Sequence, residues 1–275
     1  MSTSPNLNPT VGPNPKPSAG PATLFSLDGR RALVTGASRG LGRGMAEALA
    51  AAGADVVCAS SRPGGADDTA AAIARAGRRA WTVAADLADR EAVLAMADEA
   101  TRLSGGLDIL VNNAGGLVQR VPITEVDDAL FDAVVDLNVR SLVAASAAAV
   151  PHMRRAGHGN IVNVTSIAAR SGGGAGSVIY ASAKGFVSTF TRGLAKELVR
   201  DGIRVNAVSP GVITTPFHER YSTPAMLEAF RTAIPMNRLG TADECAGAFL
   251  YLASDALSGF VTGQILEVNG GQLMP

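Results

Sequence analysis

Short apolar runs alternate with longer alanine-rich segments from Leu24 to the end of the chain. Several of the short runs are apolar at consecutive positions, which is typical of strands buried on both faces of a parallel sheet. The predicted strands are Arg31–Thr35, Asp55–Ala59, Ala80–Ala85, Asp108–Asn112, Asn160–Thr165, Ile203–Val208 and Gln264–Val268. Helical periodicity lies between them, over residues 41–52, 66–76, 89–103, 127–149, 178–200 and 241–254. This alternation predicts an α/β fold, a doubly wound parallel sheet of about seven strands with helices on both faces.

The first 23 residues differ in composition from the rest of the chain. They carry prolines at positions 5, 9, 13, 15, 17 and 21 and hardly any aliphatic side chain. Such a segment cannot bury enough apolar surface to offset the entropy lost on ordering. We therefore expect residues 1–23 to form a flexible tail, with a partner-binding arm as the alternative. Because no break in composition follows, residues 24–275 are predicted to form one domain.

Charge and composition exclude several classes of protein. The chain has 24 Lys+Arg and 24 Asp+Glu residues, so it has no basic surplus and no nucleic acid partner is expected. We expect neither export nor membrane association, because the chain shows no signal-like start and no apolar run long enough to span a bilayer. Cys58 and Cys245 lie in apolar stretches and indicate buried free thiols, which favours the cytoplasm. No acidic or histidine cluster has ligand spacing, so no metal is expected.

A glycine-rich loop, Thr35–Gly42, follows the first predicted strand and precedes a helix. This placement brings backbone N–H groups together with the positive end of the helix dipole, which is a binding site for a pyrophosphate. The alternative is an ordinary tight turn in a chain that contains 31 glycines.

Tyr180 and Lys184 are four residues apart in a predicted helix, so their side chains lie on the same face. A phenol has a reference pKa of about 10, and an ammonium one turn away lowers it toward the range of an efficient acid–base group. Ser166 ends a predicted strand at the carboxyl edge, where open α/β sheets bind ligands. The alternatives are a solvated Tyr–Lys pair and a serine that serves only the turn.

The loop spacing TGxxxGxG resembles that of the short-chain dehydrogenase/reductase family. Further family motifs recur in the expected order over almost all of residues 24–275: Asn112–Gly115, Asn138, Ser166, Tyr180–Lys184 and Pro210–Thr215. The resemblance implies a Rossmann-type catalytic domain that transfers a hydride between a nicotinamide cofactor and an alcohol or carbonyl. In one respect the chain departs from the family pattern, because the Ser166–Tyr180 interval is one residue longer than usual and rich in glycine. This leaves the shape of that loop open.

The resemblance implies a role for each catalytic residue. Tyr180 is the acid–base group, and Lys184 lowers its pKa and binds the cofactor ribose. Ser166 orients the substrate oxygen, and Asn138 distorts its helix so that a carbonyl holds a water of the proton relay. For Asn138 the alternative is a satisfied polar residue within its helix.

The same resemblance implies the cofactor contacts. They are Gly36, Ser38, Arg39, Gly40, Leu41, Gly42, Ser61, Arg62, Asp86, Leu87, Asn113, Ala114, Gly115, Tyr180, Lys184, Pro210, Gly211, Ile213 and Thr215. The second strand ends without a carboxylate and is followed by Arg62, which favours NADP, with NAD possible. Asp86 is assigned to the adenine ring, and its alternative is a helix cap or turn residue. The alternative for Arg62 is a side chain that points into water.

Residues 216–238 are expected, by resemblance, to form a mobile lid over a small-molecule substrate. Phe217, His218, Glu219 and Tyr221 mix aromatic and polar character, which favours a sugar, a polyol or another small oxygenated substrate, with a 3-oxoacyl compound as a further candidate. His218 is expected to be solvated. The alanines of helix 127–149 favour close helix pairing in a homotetramer, and their alternative is packing against the sheet.

Two other functions are also compatible with the sequence. An epimerase or dehydratase that retains its nucleotide uses a similar Tyr–Lys pair. A nucleotide-sensing module without turnover is the second alternative, although the presence of both Tyr180 and Lys184 argues against it.

Overall fold

A computed structural model describes residues 21–274 of the chain. The predicted tail therefore lies outside the described residues as far as position 20. Its last residues begin the short helix α1, Pro21–Leu24.

Within the described part of the chain, seven parallel strands form one sheet in the order β3-β2-β1-β4-β5-β6-β7. They are β1 Arg31–Thr35, β2 Asp55–Ser60, β3 Ala80–Ala84, β4 Ile109–Asn112, β5 Gly159–Val164, β6 Ile203–Pro210 and β7 Ile265–Val268. All seven predicted strands are confirmed, with ends that shift by one or two residues. The strand order reverses between β1 and β4, and ligands of doubly wound sheets bind in the crevice at such a point.

Helices cover both faces of the sheet, as predicted. After α1 they are α2 Gly40–Ala51, α3 Asp67–Arg75, α4 Arg90–Ser104, α5 Asp128–Val135, α6 Ser141–Ala156, α7 Ala168–Ser171, α8 Val178–Leu198, α9 Pro216–Tyr221, α10 Pro224–Ala233, α11 Ala242–Ala253 and α12 Asp255–Ser258. The predicted helix 127–149 is instead α5 and α6 joined by a π-helical turn, Asp136–Arg140, and it continues to Ala156.

The consecutive apolar residues of β1 serve two different cores. Leu33 belongs to a core that contains residues of α4, α6 and α8, whereas Val34 belongs to a second core that contains residues of α2 and α11. Both side chains are fully buried. Burial of such a side chain contributes about 1.5–3 kcal/mol, so each strand stabilises two layers at once.

Three of the alanines assigned to subunit pairing pack inside the fold instead. Ala144, Ala145 and Ala149 are at most 2% exposed and belong to the core between α6 and the sheet. Their small side chains allow α6 to approach β4 and β5 closely, so the alternative of internal packing is the correct one for them. Of the remaining two, Ala147 is exposed and Ala148 is half-buried.

Within residues 21–274, one helical stretch, Asp128–Ala156, is long and apolar enough by length and composition to cross a membrane, and an 18-residue window in it has a mean hydropathy of 1.5. Half of that window is buried inside the fold, where α6 packs against α4 and the sheet. A buried core helix can meet the same criteria of length and composition as a membrane-spanning helix.

A chain of buried amides and hydroxyls connects the central strands to the helices behind them. Asn112 Nδ2 donates to Asn163 Oδ1 at 2.9 Å and to Ser146 Oγ at 3.0 Å. Asn163 Nδ2 donates in turn to Thr191 Oγ1 at 2.9 Å. The hydrogen bonds compensate these groups for lost water and tie β4 and β5 to α6 and α8.

Candidate active site

The glycine loop connects β1 to α2 and has no room for side chains at its critical positions. Gly36 has φ +66°, and a Cβ at Gly42 would lie 2.1 Å from the Gly36 carbonyl oxygen. Within the described residues no side chain caps α2 at Arg39, and its first turn carries no acidic residue. The first N–H groups of α2 therefore face the cleft at the positive end of the helix dipole. This arrangement fits a dinucleotide pyrophosphate.

Thr35 holds the loop against the segment that follows β4. Its Oγ1 accepts hydrogen bonds from the backbone N–H groups of Asn113 and Ala114, both at 3.0 Å. Asn113 Nδ2 donates to the Thr35 carbonyl at 2.9 Å. These contacts fix the two sides of the crevice relative to each other.

Lys184 lies on α8 and is 5% exposed. Its Nζ donates to the Val164 carbonyl at 2.9 Å and lies 5.8 Å from the centroid of the Tyr180 ring. Burial lowers the pKa of Lys184 to about 8. Thr165 Oγ1 donates to the Lys184 carbonyl at 2.8 Å, which ties the end of β5 to the helix that carries both residues.

Tyr180 and Ser166 meet at the carboxyl edge of the sheet. Burial raises the pKa of Tyr180 above its ordinary value, whereas a hydrogen bond with Ser166 and the positive charge of Arg120 lower it. Ser166 Oγ also accepts a hydrogen bond from the Ala168 N–H at 3.1 Å. The arrangement brings a phenol, a hydroxyl and a buried amine into one site, as predicted.

Asn138 lies in the π-helical turn and is 1% exposed. Its Nδ2 donates to the Gly116 and Val134 carbonyls at 2.8 and 2.9 Å, and its Oδ1 accepts from the Gly116 N–H at 3.0 Å. The helix is distorted at Asn138, as the resemblance implied. A Cβ at Gly115 would lie 2.8 Å from both Asn138 Oδ1 and Lys184 Nζ, so a side chain at this position would clash with both polar atoms.

The loop between Ser166 and Tyr180 has a defined shape despite its extra residue. Helix α7 is followed by a glycine turn, in which Gly176 has φ +72° and accepts a hydrogen bond from the Val121 N–H at 3.2 Å. Ser177 Oγ donates to the Gly174 carbonyl at 2.6 Å. The loop thus packs against the segment that follows β4.

Arg120, which the sequence analysis did not single out, lies where this loop meets the lid. Its Nε donates to the Tyr221 carbonyl at 2.8 Å, and its Nη1 donates to the Ala175 carbonyl at 3.0 Å. Burial lowers the pKa of Arg120 below its ordinary value. An arginine in a stretch of small and apolar residues just after β4 is the signal that could have identified it.

The segment 216–238, which is expected to form a lid, contains α9 and α10, and neither helix was predicted from the sequence. Phe217 lies 5.9 Å from Tyr180 and 5.0 Å from Tyr221 between ring centroids. His218 is half-buried rather than solvated, 5.2 Å from the Phe217 ring and 6.1 Å from the Phe230 ring. Burial and the positive charge of Arg120 lower the pKa of His218 to about 4, so its imidazole is neutral at pH 7.

Most of the predicted site residues line one cleft of about 620 Å³ at this edge of the sheet. They are Gly36, Ser38, Arg39, Gly40, Leu41, Gly42, Ser61, Leu87, Asn113, Ala114, Gly115, Ser166, Tyr180, Lys184, Pro210, Gly211, Ile213 and Thr215. Of the predicted positions, all of them described, Arg62, Asp86 and Asn138 do not line it. Arg62 is exposed, and Asp86 accepts a turn hydrogen bond from the Ala88 N–H at 3.0 Å.

Known proteins are similar to this chain in sequence and in architecture. A family profile described as enoyl-(acyl carrier protein) reductase matches residues 36–272. Cis-4-hydroxycyclohexanecarboxylate dehydrogenase of Sinomonas cyclohexanicum is 42% identical over 243 residues, which cover 88% of this chain and 96% of the relative.

Two solved structures give the same result at the level of the fold. Gluconate 5-dehydrogenase of Burkholderia cenocepacia J2315, in complex with NADP and tartrate, has a TM-score of 0.86 at 34% identity and covers 91% of this chain and 98% of its own. The structure of 7α-hydroxysteroid dehydrogenase in complex with NADH and 7-oxo glycochenodeoxycholic acid has a TM-score of 0.87 at 34% identity. The match covers 92% of this chain and 98% of that protein. The motifs, the sheet order and these matches agree, and the chain belongs to the short-chain dehydrogenase/reductase family of oxidoreductases.

Proposed function

We propose that this chain is an NADP-preferring oxidoreductase that interconverts an alcohol and a carbonyl on a small substrate. The observation that carries the proposal is the convergence of Ser166, Tyr180 and Lys184 with the glycine loop in a single cleft. A nicotinamide dinucleotide, when bound, supplies the hydride or takes it up. The glycine loop would hold its pyrophosphate, and Lys184 its ribose.

Tyr180 moves the proton of this reaction. In the reducing direction it donates its phenolic proton to the substrate oxygen while the carbonyl carbon receives a hydride, which yields the alcohol. In the oxidising direction its phenolate takes the hydroxyl proton while the hydride leaves that carbon, which yields the carbonyl. Ser166 donates a hydrogen bond to the substrate oxygen and holds it near Tyr180.

Lys184 and Asn138 support the return of the proton to solvent. The Lys184 ammonium is buried against the Val164 carbonyl, and Gly115 lies beside both Lys184 Nζ and Asn138 Oδ1. We infer that water near Asn138 relays a proton between Lys184 and the solvent. A pKa of about 8 allows Lys184 to give up and regain a proton near neutral pH.

Two features support a preference for NADP. The second strand ends at Ser60 and is followed by Ser61, so this end of the cleft offers hydroxyls and no carboxylate among the described residues to repel a 2′-phosphate. Arg39 is exposed beside the start of α2 and lines the cleft. Because Arg62 lies outside the cleft, Arg39 is the better candidate for the phosphate contact.

Substitution of Tyr180 by phenylalanine tests the proposed function. Tyr180→Phe deletes the proton-transfer group, so turnover should fall by about 100-fold or more, while reduced-cofactor fluorescence reports near-normal cofactor binding. The matched control is Tyr251→Phe, which removes a hydroxyl from α11 at the back of the sheet and should leave turnover unchanged. A Tyr180→Phe variant that keeps more than about a tenth of the parental rate would rule out this role for Tyr180.

The first substrates to assay come from the relatives. Cis-4-hydroxycyclohexanecarboxylate and gluconate are named in two of them, and both are small hydroxylated compounds. We propose a small oxygenated substrate of this kind and a cytoplasmic enzyme, in line with the two free buried thiols.

A further inference from the structure

All the charged side chains that line the cleft in the described part of the chain are basic. Arg39, Arg120, Lys184 and Arg220 line it, and no aspartate or glutamate does so among residues 21–274. The whole chain is balanced, with 24 basic and 24 acidic residues, so this excess is local. Arg39 lies at the glycine loop and Lys184 at the reacting centre. Arg120 and Arg220 remain at the lid end, where no cofactor phosphate is expected.

Arg120 is a partly buried cation without a counter-ion. Its two hydrogen bonds go to the neutral carbonyls of Tyr221 and Ala175, and its Nη2 has no hydrogen-bond partner among the described residues. No carboxylate in the part of the chain that the structure describes pairs with it. A guanidinium held in a fixed orientation with a free donor is suited to bind a planar anion.

The charge of Arg120 acts directly on the reacting centre. The same cleft is lined by Arg120, Tyr180 and His218, and the positive charge of Arg120 lowers the pKa of the other two groups. An anion bound at Arg120 would therefore lie in the cleft that holds Tyr180. Such an anion would be part of the substrate.

Aromatic rings form one wall of this end of the cleft. Tyr180, Phe217 and Tyr221 form consecutive ring contacts, and Phe230 adds a further ring beyond His218. His218 is neutral at pH 7, so it adds no charge of its own. These walls suit a compact hydrocarbon frame between the anion and the reacting carbon.

We propose that Arg120 binds the carboxylate of the substrate, so that the site selects hydroxy acids and oxo acids with a compact carbon frame over their neutral analogues. This inference rests on the proposed function and names its substrate class. Arg220 is exposed and lies over the Tyr221 ring at 5.2 Å, so Arg120 is the arginine that the surrounding carbonyls hold in place. A single fixed guanidinium matches a monoanion better than a phosphate, which is usually held by several donors.

The test compares two inert ligands of the same shape. Cyclohexanecarboxylate and cyclohexanecarboxamide are titrated calorimetrically into the full-length protein saturated with oxidised NADP at pH 7. We expect the acid to bind about tenfold or more tightly than the amide, and Arg120→Met to abolish this preference. Arg170→Met is the matched control, because Arg170 is exposed on α7 and does not line the cleft. It should keep the preference.

Several outcomes would overturn the proposal. One is wild-type protein that binds the acid no more tightly than the amide, or binds neither, and this result does not depend on whether Arg120→Met folds. Another is Arg120→Met weakening both ligands equally, which would show that Arg120 only connects the loop to the lid. Tighter binding of cyclohexyl phosphate than of the acid would overturn the carboxylate assignment. Failure of the proposed function would appear separately, as full turnover by Tyr180→Phe.

Discussion

Replacement of Lys184 by methionine should abolish activity and stabilise the fold. The pKa of Lys184 falls from 10.5 to about 8 because burial disfavours its charged form. With 1.36 kcal/mol per pKa unit, the buried charge costs the native state about 3 kcal/mol at pH values below 8. Methionine has a similar length and no charge, but its introduction removes the hydrogen bond to Val164, which contributes about 1 kcal/mol.

The expected net gain at pH 7 is about 2 kcal/mol, or a rise in Tm of about 4–8 °C for a chain of this size. The sign of the pH dependence follows from the lowered pKa. Below pH 8 Lys184 is protonated in both states and the cost is fully present. As the pH rises from 8 to 10.5, native Lys184 is neutral while the unfolded residue is still charged, so the cost shrinks to below about 1 kcal/mol at pH 10.

The assay is thermal unfolding of the cofactor-free protein at pH 7 and pH 10, at one protein concentration. The matched control is Lys196→Met, because Lys196 lies on the same helix and is exposed, so its replacement should change stability by less than about 0.5 kcal/mol. A Lys184→Met variant that is less stable than wild type at pH 7, or whose advantage is equally large at pH 10, would refute the reasoning.

Three further predictions concern cofactor and assembly. Gly42→Ala places a Cβ 2.1 Å from the Gly36 carbonyl and should abolish binding of reduced cofactor in a fluorescence titration, whereas Gly193→Ala, with open space around its Cβ, should bind normally. The kcat/KM for NADPH should exceed that for NADH. Arg39→Ala should reduce the difference between the two kcat/KM values, whereas Arg62→Ala should not change it. Equal values in the wild-type enzyme would contradict the preference for NADP. Light scattering at micromolar concentration should give the mass of a homotetramer, and a monomer mass would exclude it.

The sheet and the catalytic helix could be predicted because their signals are local. Consecutive apolar residues in β1 indicate burial on two faces, and the four-residue spacing of Tyr180 and Lys184 places both on one face of a helix. The family resemblance alone predicts a distortion of the helix at Asn138, since no pattern in the surrounding residues marks it, and the structure shows that the distortion is a π-helical turn.

The lid end of the site could not be predicted because its contacts are distant in sequence. Arg120 lies 101 residues before Tyr221, and only the fold brings them together. His218 is followed in sequence by the charged residues Glu219 and Arg220, but the fold brings it to 6.1 Å from the Phe230 ring. Helix α9 is too short, with 6 residues, for a periodic signal.

The buried amides of Asn112 and Asn163 have a consequence for how the strands find their correct alignment. Strands β4 and β5 are buried at every position, so apolar side chains face both sides and a shift by one residue would cost little hydrophobic burial. Asn112 and Asn163 are direct partners across these strands. A shift would separate them and leave amide groups unpaired in the interior, which costs about 1–3 kcal/mol for each. The two asparagines thus act against mispaired folding intermediates, a task that valine or isoleucine at the same positions could not perform.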